Sequence, residues 1–302
     1  MKSPPVLLVN PTACGGKGAA RWQKLQSALP FPTTILDISA SFDSMTLDRA
    51  LQAQLQKGKR HFVAVGGDGT CNVMVNSLLR ASAACNIPSA ELIFGAIGTG
   101  SSNDFHKPIS SRIAGFPCRM NFESTLLTDL CWWAPKDGPR TYFLLNASLG
   151  LTAEANGYFN HHLRIVKRIS TPLAILWAAL RSLLLYRNLS LRLCLYGNRN
   201  VTNLAIVRNQ HFSGNFAYPT GEKPDSGHFH IYLCDNLSKW ESLRTLRDFF
   251  HNRFFGSKLH QCRGTTFYVH SETPFWVEAD GEVSQQSHIT FGIDRGRIQL
   301  CS

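Results

Sequence analysis

The chain has 302 residues, of which 44% are hydrophobic and 17% are charged, and its formal net charge is +11. This composition excludes a disordered tail protein, and the length suggests two domains. The positive charge favours anionic partners, such as nucleotide phosphates, anionic lipid surfaces or nucleic acid, without choosing among them.

Strand-like and helix-like segments alternate in the first part of the chain. The strand-like runs are VLLV, TTILDIS, FVAV and ELIFGAI, and the helix-like segments between them are AARWQKLQSAL, MTLDRALQAQLQKG and NVMVNSLLRASAA. Such alternation is typical of a parallel sheet covered by helices. It predicts an α/β domain over residues 1–125.

The pattern changes after about Phe122. Short strand-like runs bounded by turn residues follow, among them TLLTDLCWWA, RTYFLLNASLG, LSLRLCLYG, VTNLAIVRNQ and HFHIYLCD. They predict an antiparallel second domain over residues 126–302, whose extreme C-terminus returns to the first domain. Helices are expected near Leu163–Tyr186 and Leu243–Phe250.

Nine cysteines are present, an odd number with no CxxC pair. This pattern predicts neither a disulfide framework nor a zinc site and favours a reducing cytoplasm. The longest apolar stretch, Pro172–Tyr186, contains Arg181 and is shorter than the ~20 residues that a bilayer-spanning helix needs. A soluble, cytoplasmic protein is therefore expected.

The first glycine-rich turn is VNPTACGGKGAARW, which follows the strand ending at Val9. Backbone N–H groups at a helix start favour an anion, and Lys17 and Arg21 add positive charge. The glycines that leave these groups uncovered are Gly15, Gly16 and Gly18. Phosphate binding and an ordinary strand–helix turn are equally compatible with this segment.

The second turn, GGDGT, follows the FVAV strand. Gly66 and Gly67 are expected to tolerate positive φ and to let a ligand approach the backbone, and Thr70 is expected to cap the next helix. Asp68 would repel phosphates unless it holds Mg²⁺, directly or through water, or takes a proton from an attacking hydroxyl. The alternative is a turn aspartate bonded to its own loop.

The third turn, GAIGTGSSNDFHK, spans Gly95–Lys107 and includes Gly98, Thr99 and Gly100. The carboxyl ends of parallel strands lie at one edge of a sheet, where such sheets bind ligands. Three glycine-rich turns at such positions predict a phosphate-binding edge.

Five motifs occur in order along nearly the whole chain. They are VNP with GG.G over Asn10–Gly18, GGDGT over Gly66–Thr70, GTG..NDF over Gly98–Phe105, N.S.G over Asn146–Gly150 and DGE over Asp280–Glu282. With these motifs the chain resembles the diacylglycerol kinase catalytic-domain family, which includes bacterial soluble lipid kinases, sphingosine kinases and ceramide kinases.

The resemblance implies a fold and an activity. The fold is an N-terminal NAD-kinase-like, doubly wound α/β lobe followed by a C-terminal antiparallel β-sandwich lobe. ATP would bind between the lobes, and its γ-phosphoryl group would pass to a lipid hydroxyl, diacylglycerol-like or sphingoid, with Mg²⁺ required.

The resemblance also implies site residues. Nucleotide contacts are expected at Asn10, Pro11, Gly15, Gly16, Lys17, Gly18, Gly66, Gly67, Asp68, Gly69, Thr70, Asn72, Thr99 and Gly100. Catalytic acids are expected at Asp280, Glu282 and Asp68. Glu282 suits the base, because Asp68 suits the catalytic Mg²⁺; the alternative is that Asp280 and Glu282 only close a surface hairpin. Asp225 is the expected ligand of a structural Mg²⁺.

Two other functions stay open on the sequence alone. An NAD kinase-like enzyme has a related fold that also carries GGDGT. A catalytically inactive lipid- or nucleotide-binding regulator is compatible with Val73 and Ser226, which replace acidic residues usual in the family.

A basic segment, Leu163–Asn188, combines apolar residues with five arginines and lysines. It predicts either the wall of a lipid cleft or peripheral, electrostatic contact with an anionic membrane; a packed helix with a solvated basic face fits equally well. No nucleic-acid partner is expected, and the sequence leaves the oligomeric state open.

Overall fold

A computed structural model describes residues 4–36, 44–162, 177, 181–212, 216–220, 225–251 and 253–302. Helices and strands are mixed, as predicted. The chain divides into two compact units, one formed by Met1–Leu130 together with Asp294–Ser302 and the other by Cys131–Ile293.

The first unit is built on a parallel sheet. Its strands are β1 (Val6–Val9), β2 (Thr34–Leu36), β3 (His61–Gly66), β4 (Ile93–Gly98), β5 (Ser111–Ile113) and β6 (Phe116–Arg119). The order β2-β1-β3-β4 is parallel throughout, as the alternating pattern predicts. The hairpin of β5 and β6 pairs antiparallel with β4. Near the end of the chain, Gln299 and Leu300 pair parallel with Ile93 and Phe94 at the start of β4, on the same side as the hairpin and opposite β3.

The helices of the first unit connect these strands. They are α2 (Gly18–Gln26), α3 (Ser44–Gln56) and α4 (Asp68–Ala84), preceded by the single turn α1 (Ala13–Gly16), in which Cys14 and Gly15 have non-helical φ and ψ. Helix α3 has the leucines Leu47, Leu51 and Leu55 on its buried face, a spacing of four residues that keeps them on one side. Helix α3 contacts α4, where Arg80 pairs with Asp48 at 2.7 Å. The order of strand, loop and helix places three loops at the carboxyl ends of β1, β3 and β4.

The second unit consists mainly of antiparallel strands. After β7 (Thr125–Pro135), which crosses the boundary between the units, come β8 (Thr141–Phe143), β9 (Asn146–Gly150), β10 (Leu189–Leu193), β11 (Gly197–Val207), β12 (His211–Phe212), β13 (Phe216–Ala217), β14 (Phe229–Asp235), β15 (Leu259–Gly264), β16 (Thr266–Ala279) and β17 (Glu282–Cys301). The main order is β15-β14-β11-β10-β16-β17, and β9 pairs with both β11 and β16. The core contains Phe229, Phe267, Phe275 and Phe291.

The helices of the second unit include α5 (Leu151–His162) and α6 (Lys239–Phe250). Helix α5, which follows directly on β9, was not predicted, and α6 begins four residues before the predicted start at Leu243. Most of the helix expected near Leu163–Tyr186 lies outside the described residues, although residues 181–185 are helical. Among the described helices, none is long and apolar enough to cross a bilayer. None of the nine cysteines, all of which lie within the described residues, forms a disulfide.

Candidate functional site

The three glycine-rich loops lie at one edge of the parallel sheet, at the carboxyl ends of β1, β3 and β4. Strands β3 and β4 stay in register to their ends, where Gly66 is paired with Gly98. Beyond that point the N–H of Thr99 donates to the carbonyl of Gly66 at 2.8 Å, and the N–H of Asn10 donates to Val65 at 2.9 Å. Backbone hydrogen bonds therefore join all three loops.

The first two glycines of GGDGT, Gly66 and Gly67, are required by close packing, whereas positive φ was expected. Gly67 is extended, with φ −98° and ψ −171°, and Gly66 is not among the residues with positive φ. A Cβ at Gly67 would lie 3.2 Å from the Cα of Gly100, and one at Gly66 would overlap the side chain of Thr70. The expectation of positive φ at Gly66 and Gly67 was wrong. Glycine is needed at both positions because a side chain there would collide with Thr70 or Gly100.

Thr70 does not cap the helix, contrary to expectation. Gly67 is the N-cap of α4, and Thr70 lies in its first turn. The hydroxyl of Thr70 accepts a hydrogen bond from the side-chain amide of Asn10 at 2.9 Å. The Oδ1 atom of Asn10 accepts from the backbone N–H and the hydroxyl of Thr12. Asn10 and Thr70 thus connect the first loop with the second.

Positive φ occurs in the first loop. Cys14, Gly15 and Gly16 have φ of 54°, 67° and 95°, and both glycines are exposed together with Lys17, the N-cap of α2. A Cβ at Gly18 would lie 2.7 Å from the carbonyl oxygen of Pro11. The loop therefore presents exposed backbone and one lysine at the start of a nine-residue helix, an arrangement that favours anions.

Arg21 was expected to add charge to the first loop, and it has a second task. One terminal nitrogen of its guanidinium donates to the carbonyls of Thr99 and Gly100, at 2.7 and 2.9 Å. The N–H of Gly100 in turn donates to Oδ1 of Asn103 at 3.0 Å. This contact between Arg21 and the third loop was not predicted. The available sequence signal was that Arg21 lies one turn into α2, close to the carboxyl ends of the strands.

Asp68 is the first residue of α4, where the helix dipole favours a carboxylate. Its Oδ1 atom accepts the backbone N–H of Phe105 at 2.9 Å. Burial raises the pKa of Asp68, the charge of Asp104 raises it further, and the hydrogen bond from Phe105 and the charge of Lys107 lower it. Lys107 pairs with Asp104 at 2.6 Å. The sequence analysis did not select Asp104 or Lys107.

This carboxylate has the chemistry that Mg²⁺ prefers. Mg²⁺ binds through one or two carboxylates and keeps several waters. The raised pKa of Asp68 means that its charged form is disfavoured at this position, so a nearby cation would stabilise it. Asp68, with Asp104 close by, therefore fits Mg²⁺.

Asn72 lies one turn after Asp68 and is buried. Its side-chain oxygen accepts from the amide of Asn76 at 3.2 Å, and its backbone carbonyl accepts from the same amide at 3.0 Å. The amide of Asn76 thus holds Asn72 from within α4. Pro11 lies two residues before α1, and Gly69 is the second residue of α4.

The DGE motif forms a two-residue hairpin between β16 and β17. Ala279 pairs with Glu282 across the strands, and Asp280 and Gly281 make the turn with φ of 49° and 91°. Positive φ at both central residues is the signature of the type I′ hairpin turn. The predicted strand–turn–strand, with Gly281 permitting a tight turn, is confirmed.

The carboxylate of Asp280 is occupied by backbone. It accepts the N–H groups of Leu144, Leu145 and Asn146, at 2.6, 2.9 and 3.3 Å. Its own N–H donates to the carbonyl of Asn146, and the residue is 7% exposed. Asp280 therefore joins the hairpin to the start of β9. Glu282 is exposed.

Glu278 is a buried acid that the sequence analysis did not select. Its two oxygens accept from the hydroxyl of Ser148 and from the N–H of Gly281, both at 2.7 Å. Burial raises the pKa of Glu278 to about 7, although both hydrogen bonds lower it and the charges of Asp280 and Glu282 raise it further. The hairpin is thus supported by two acids with different hydrogen-bond partners.

Two further predictions concern the second unit. Asp225 is an exposed turn residue, and the hydroxyl of neighbouring Ser226 accepts from Arg208 at 3.2 Å. Within the described ranges, no three His, Cys, Asp or Glu residues are grouped to hold a metal ion. Of the basic segment Leu163–Asn188, residues 163–176 and 178–180 lie outside the described residues.

Residues 4–119 match the family model for the diacylglycerol kinase catalytic domain, which confirms the expected resemblance and covers all three glycine-rich loops. A search of the curated proteins finds no match.

Solved structures share the fold over the whole chain. A crystal structure of a diacylglycerol kinase from Bacillus anthracis str. Sterne has a TM-score of 0.66 at 16% identity and covers 100% of this chain and 97% of its own. Two further structures from that organism, provisionally described as diacylglycerol kinases, have TM-scores of 0.69 and 0.70, each at 18% identity. They cover 100% and 99% of this chain, and 98% and 94% of their own. At these identities the likeness shows the fold alone.

Proposed function

We propose, on the premise that residues 4–119 match the diacylglycerol kinase catalytic domain, that this chain is an ATP-dependent lipid kinase. It transfers the γ-phosphoryl group of ATP to a hydroxyl of a diacylglycerol-like or sphingoid lipid. One observation carries the proposal: three loops that expose backbone and basic side chains are joined around a partly buried aspartate.

The three loops bind the nucleotide in this proposal. The exposed backbone of Gly15, Gly16 and Lys17 lies at the positive end of α2, which favours phosphate oxygens. Lys17 adds a charge, and the N–H of Gly16 holds the loop by donating to the carbonyl of Thr12 at 3.0 Å. Gly67 and Gly100 approach each other so closely that no side chain fits between them, which keeps the backbone open to the phosphates. Arg21 and Asn103 hold the third loop in place through Thr99 and Gly100.

Asp68 is the proposed contact to the metal ion, directly or through water. Mg²⁺ supplies neutralisation of the phosphate charge when it is bound. The chain contributes the position of the carboxylate, fixed by the N–H of Phe105. Lys107 holds Asp104, so that this second carboxylate keeps a defined place near Asp68.

Glu282 is the proposed proton acceptor for the lipid hydroxyl. Phosphoryl transfer needs a residue that orients or deprotonates the nucleophile. The carboxylate of Asp280 is occupied by three backbone N–H groups, which makes it a positioning residue for the hairpin. Glu282 is exposed at the start of β17 and is therefore the acid of the motif that can meet a substrate.

The proposal is tested by measuring ADP release from ATP with a panel of diacylglycerols, sphingoid bases and ceramides in mixed micelles, and with NAD as a separate acceptor. Lipid-dependent ADP release that requires Mg²⁺ supports the proposal. NAD-dependent release would assign an NAD kinase-like activity. Nucleotide binding without turnover on any acceptor would assign an inactive regulator.

The proposal also includes a location: the enzyme is cytoplasmic and binds its lipid substrate at a membrane surface. The net charge of +11 supports electrostatic attraction to anionic lipids. The proposed contact is peripheral and sensitive to salt, because interactions between exposed charges are screened over about 10 Å at 0.1 M ionic strength.

A further inference from the structure

Helix α6 carries its large apolar side chains on the outside. Trp240 is 81% exposed, Leu243 44% and Leu246 39%. At 3.6 residues per turn, Trp240, Leu243 and Arg247 lie on one face, and Arg244 and Leu246 flank it. An ordinary surface helix would turn its tryptophan and leucines toward the core.

The inner side of α6 is polar at the positions where leucines are expected. Ser242 and Thr245 are both buried, and the hydroxyl of Ser242 donates to the carbonyl of Ser238. Among residues 239–249 of α6, Phe249 alone brings a large apolar group inward, where it packs against Tyr218 and Phe254 with centroid distances of 5.2 and 5.5 Å. Because Ser242, Thr245 and Phe249 occupy the inner face of the helix, Trp240, Leu243 and Leu246 must lie on the outer face.

The helix is nevertheless firmly anchored. Ser238 and Glu241 form a capping box, in which each side chain bonds the backbone N–H of the other residue. Lys258 pairs with Glu241 at 2.9 Å. An element held this well can present exposed apolar residues without fraying.

The exposed apolar surface extends beyond the helix. The ammonium group of Lys239 donates to the carbonyl of Leu184, which brings residues 181–185 next to the start of α6. Leu184 and Leu185 are themselves exposed. After the helix, Phe254 is buried, whereas Phe255 is 80% exposed.

The charges around this surface are mainly positive. Residues 239–258 contain three arginines and two lysines against Glu241 and Asp248, a net charge of +3. Arg244 and Arg247 lie on the exposed side, beside Trp240 and Leu243. Arginine can place its apolar stem along such a surface and its charge at the polar boundary.

We propose that the outer face of α6 docks the protein on an anionic lipid bilayer, with Trp240 and Leu243 entering the headgroup boundary and Arg244 and Arg247 contacting lipid phosphates. A tryptophan beside leucines on one helix face with basic residues around them is the composition of interfacial helices. The choice of a bilayer rests on the proposed function, whose acceptor is a lipid, and on the positive charge of the surface.

Vesicle flotation without ATP tests the docking face. The parent should bind vesicles of phosphatidylcholine with phosphatidylglycerol and bind much less to phosphatidylcholine alone. Trp240→Ala should weaken binding on the order of tenfold, because a large apolar contact is lost. The matched control is Leu195→Ala, which truncates a side chain that is 59% exposed in the turn between β10 and β11 and should bind as the parent does.

Charge and depth are tested separately. Arg244→Gln with Arg247→Gln should weaken binding about fivefold for each arginine and reduce its salt dependence. Trp240→Phe should keep binding but lose the part of the fluorescence quenching by brominated lipids that Trp240 itself contributes.

Three results would overturn the proposal: no binding of the parent to anionic vesicles, equal binding of Trp240→Ala and the parent, or a dimer that Trp240→Ala dissociates in the absence of any vesicle binding. Activity is measured on lipid in detergent micelles. Vesicle binding without kinase activity would refute the proposed function alone. Kinase activity in micelles without dependence of vesicle binding on Trp240 would refute the docking face alone.

Discussion

Two glycine–aspartate pairs, Gly67–Asp68 in the first unit and Asp280–Gly281 in the second, use the same residue types for different purposes. Gly67 is extended and is required because Gly100 lies against it. Gly281 has a φ of 91°, and an added Cβ would meet no atom within 4 Å, so glycine is required there by the backbone conformation of the turn and not by packing. Gly67 is therefore needed for its small size, and Gly281 is needed for its positive φ.

The aspartates differ in the same way. Asp68 accepts the backbone N–H of Phe105 at 2.9 Å, but burial raises its pKa, so a cation would stabilise its charged form. Asp280 accepts three backbone N–H groups, so its charge is used inside the fold. A motif containing aspartate and glycine therefore does not by itself assign a catalytic role, and the hydrogen-bond partners decide it.

The largest effect is expected from Gly67→Val. A Cβ at this position would lie 3.2 Å from the Cα of Gly100. The two methyl groups that valine adds to this Cβ would force the second and third loops apart. Nucleotide binding should be abolished in isothermal titration calorimetry, with circular dichroism unchanged. Gly67→Ala is the graded control and should bind with intermediate affinity. Parent-like affinity of a folded Gly67→Val protein would show that this loop does not bind phosphates.

Glu282→Gln should reduce kcat by about 10²–10⁴-fold, the usual contribution of a general base. ATP affinity should remain, because the substitution leaves all three loops intact. Steady-state kinetics on the best lipid, together with nucleotide titration, measure both quantities. Near-parent turnover would mean that Glu282 only closes the hairpin, and the base would then be sought at Asp68.

Asp68→Asn should lower activity by about 10–100-fold, in the range seen when a partner of a metal site is lost. The dependence of the rate on Mg²⁺ concentration should become weaker. Stability should be equal or higher, because burial already disfavours the charged carboxylate of Asp68. An unchanged Mg²⁺ titration in the variant would remove Asp68 from the metal site.

The sequence predicted the local elements and motif positions well, and their mutual contacts poorly. Apolar runs such as VLLV and FVAV appear as strands β1 and β3, because buried parallel strands read as continuous apolar runs. The role of Thr70 could not be predicted, since its partner Asn10 is 60 residues away in sequence. The triple contact of Asp280 with residues 144–146 was hidden for the same reason. Helix α6 was expected, but its outward tryptophan is visible only once burial is known.

Asp280→Asn should act mainly on stability. An amide offers one oxygen and places an NH₂ group against backbone N–H groups that now meet a carboxylate. Losing charge-assisted hydrogen bonds in a buried position should lower the free energy of unfolding by about 2–3 kcal/mol. Urea denaturation measures it, with Glu282→Gln as the control on the exposed side of the same turn. If Asp280→Asn instead unfolds as the parent does and loses only turnover, Asp280 is catalytic.

Glu278→Gln gives the smallest expected effect and depends on pH. The folded pKa of Glu278 is raised to about 7 from an ordinary value of 4.5, so the native protein binds the extra proton more tightly than the unfolded chain does. The stability contributed by that proton is complete below about pH 4.5 and is lost as the pH rises through 7. A glutamine is neutral at every pH, and it can still accept from Gly281 and donate to Ser148. At pH 8 the variant should therefore be more stable than the parent by about 1–3 kcal/mol, whereas at pH 5 the two should be alike. Thermal unfolding of both proteins across this range measures the difference; a constant offset at all pH values would show that Glu278 is ionised in the native protein and that Ser148 and Gly281 hold its charge.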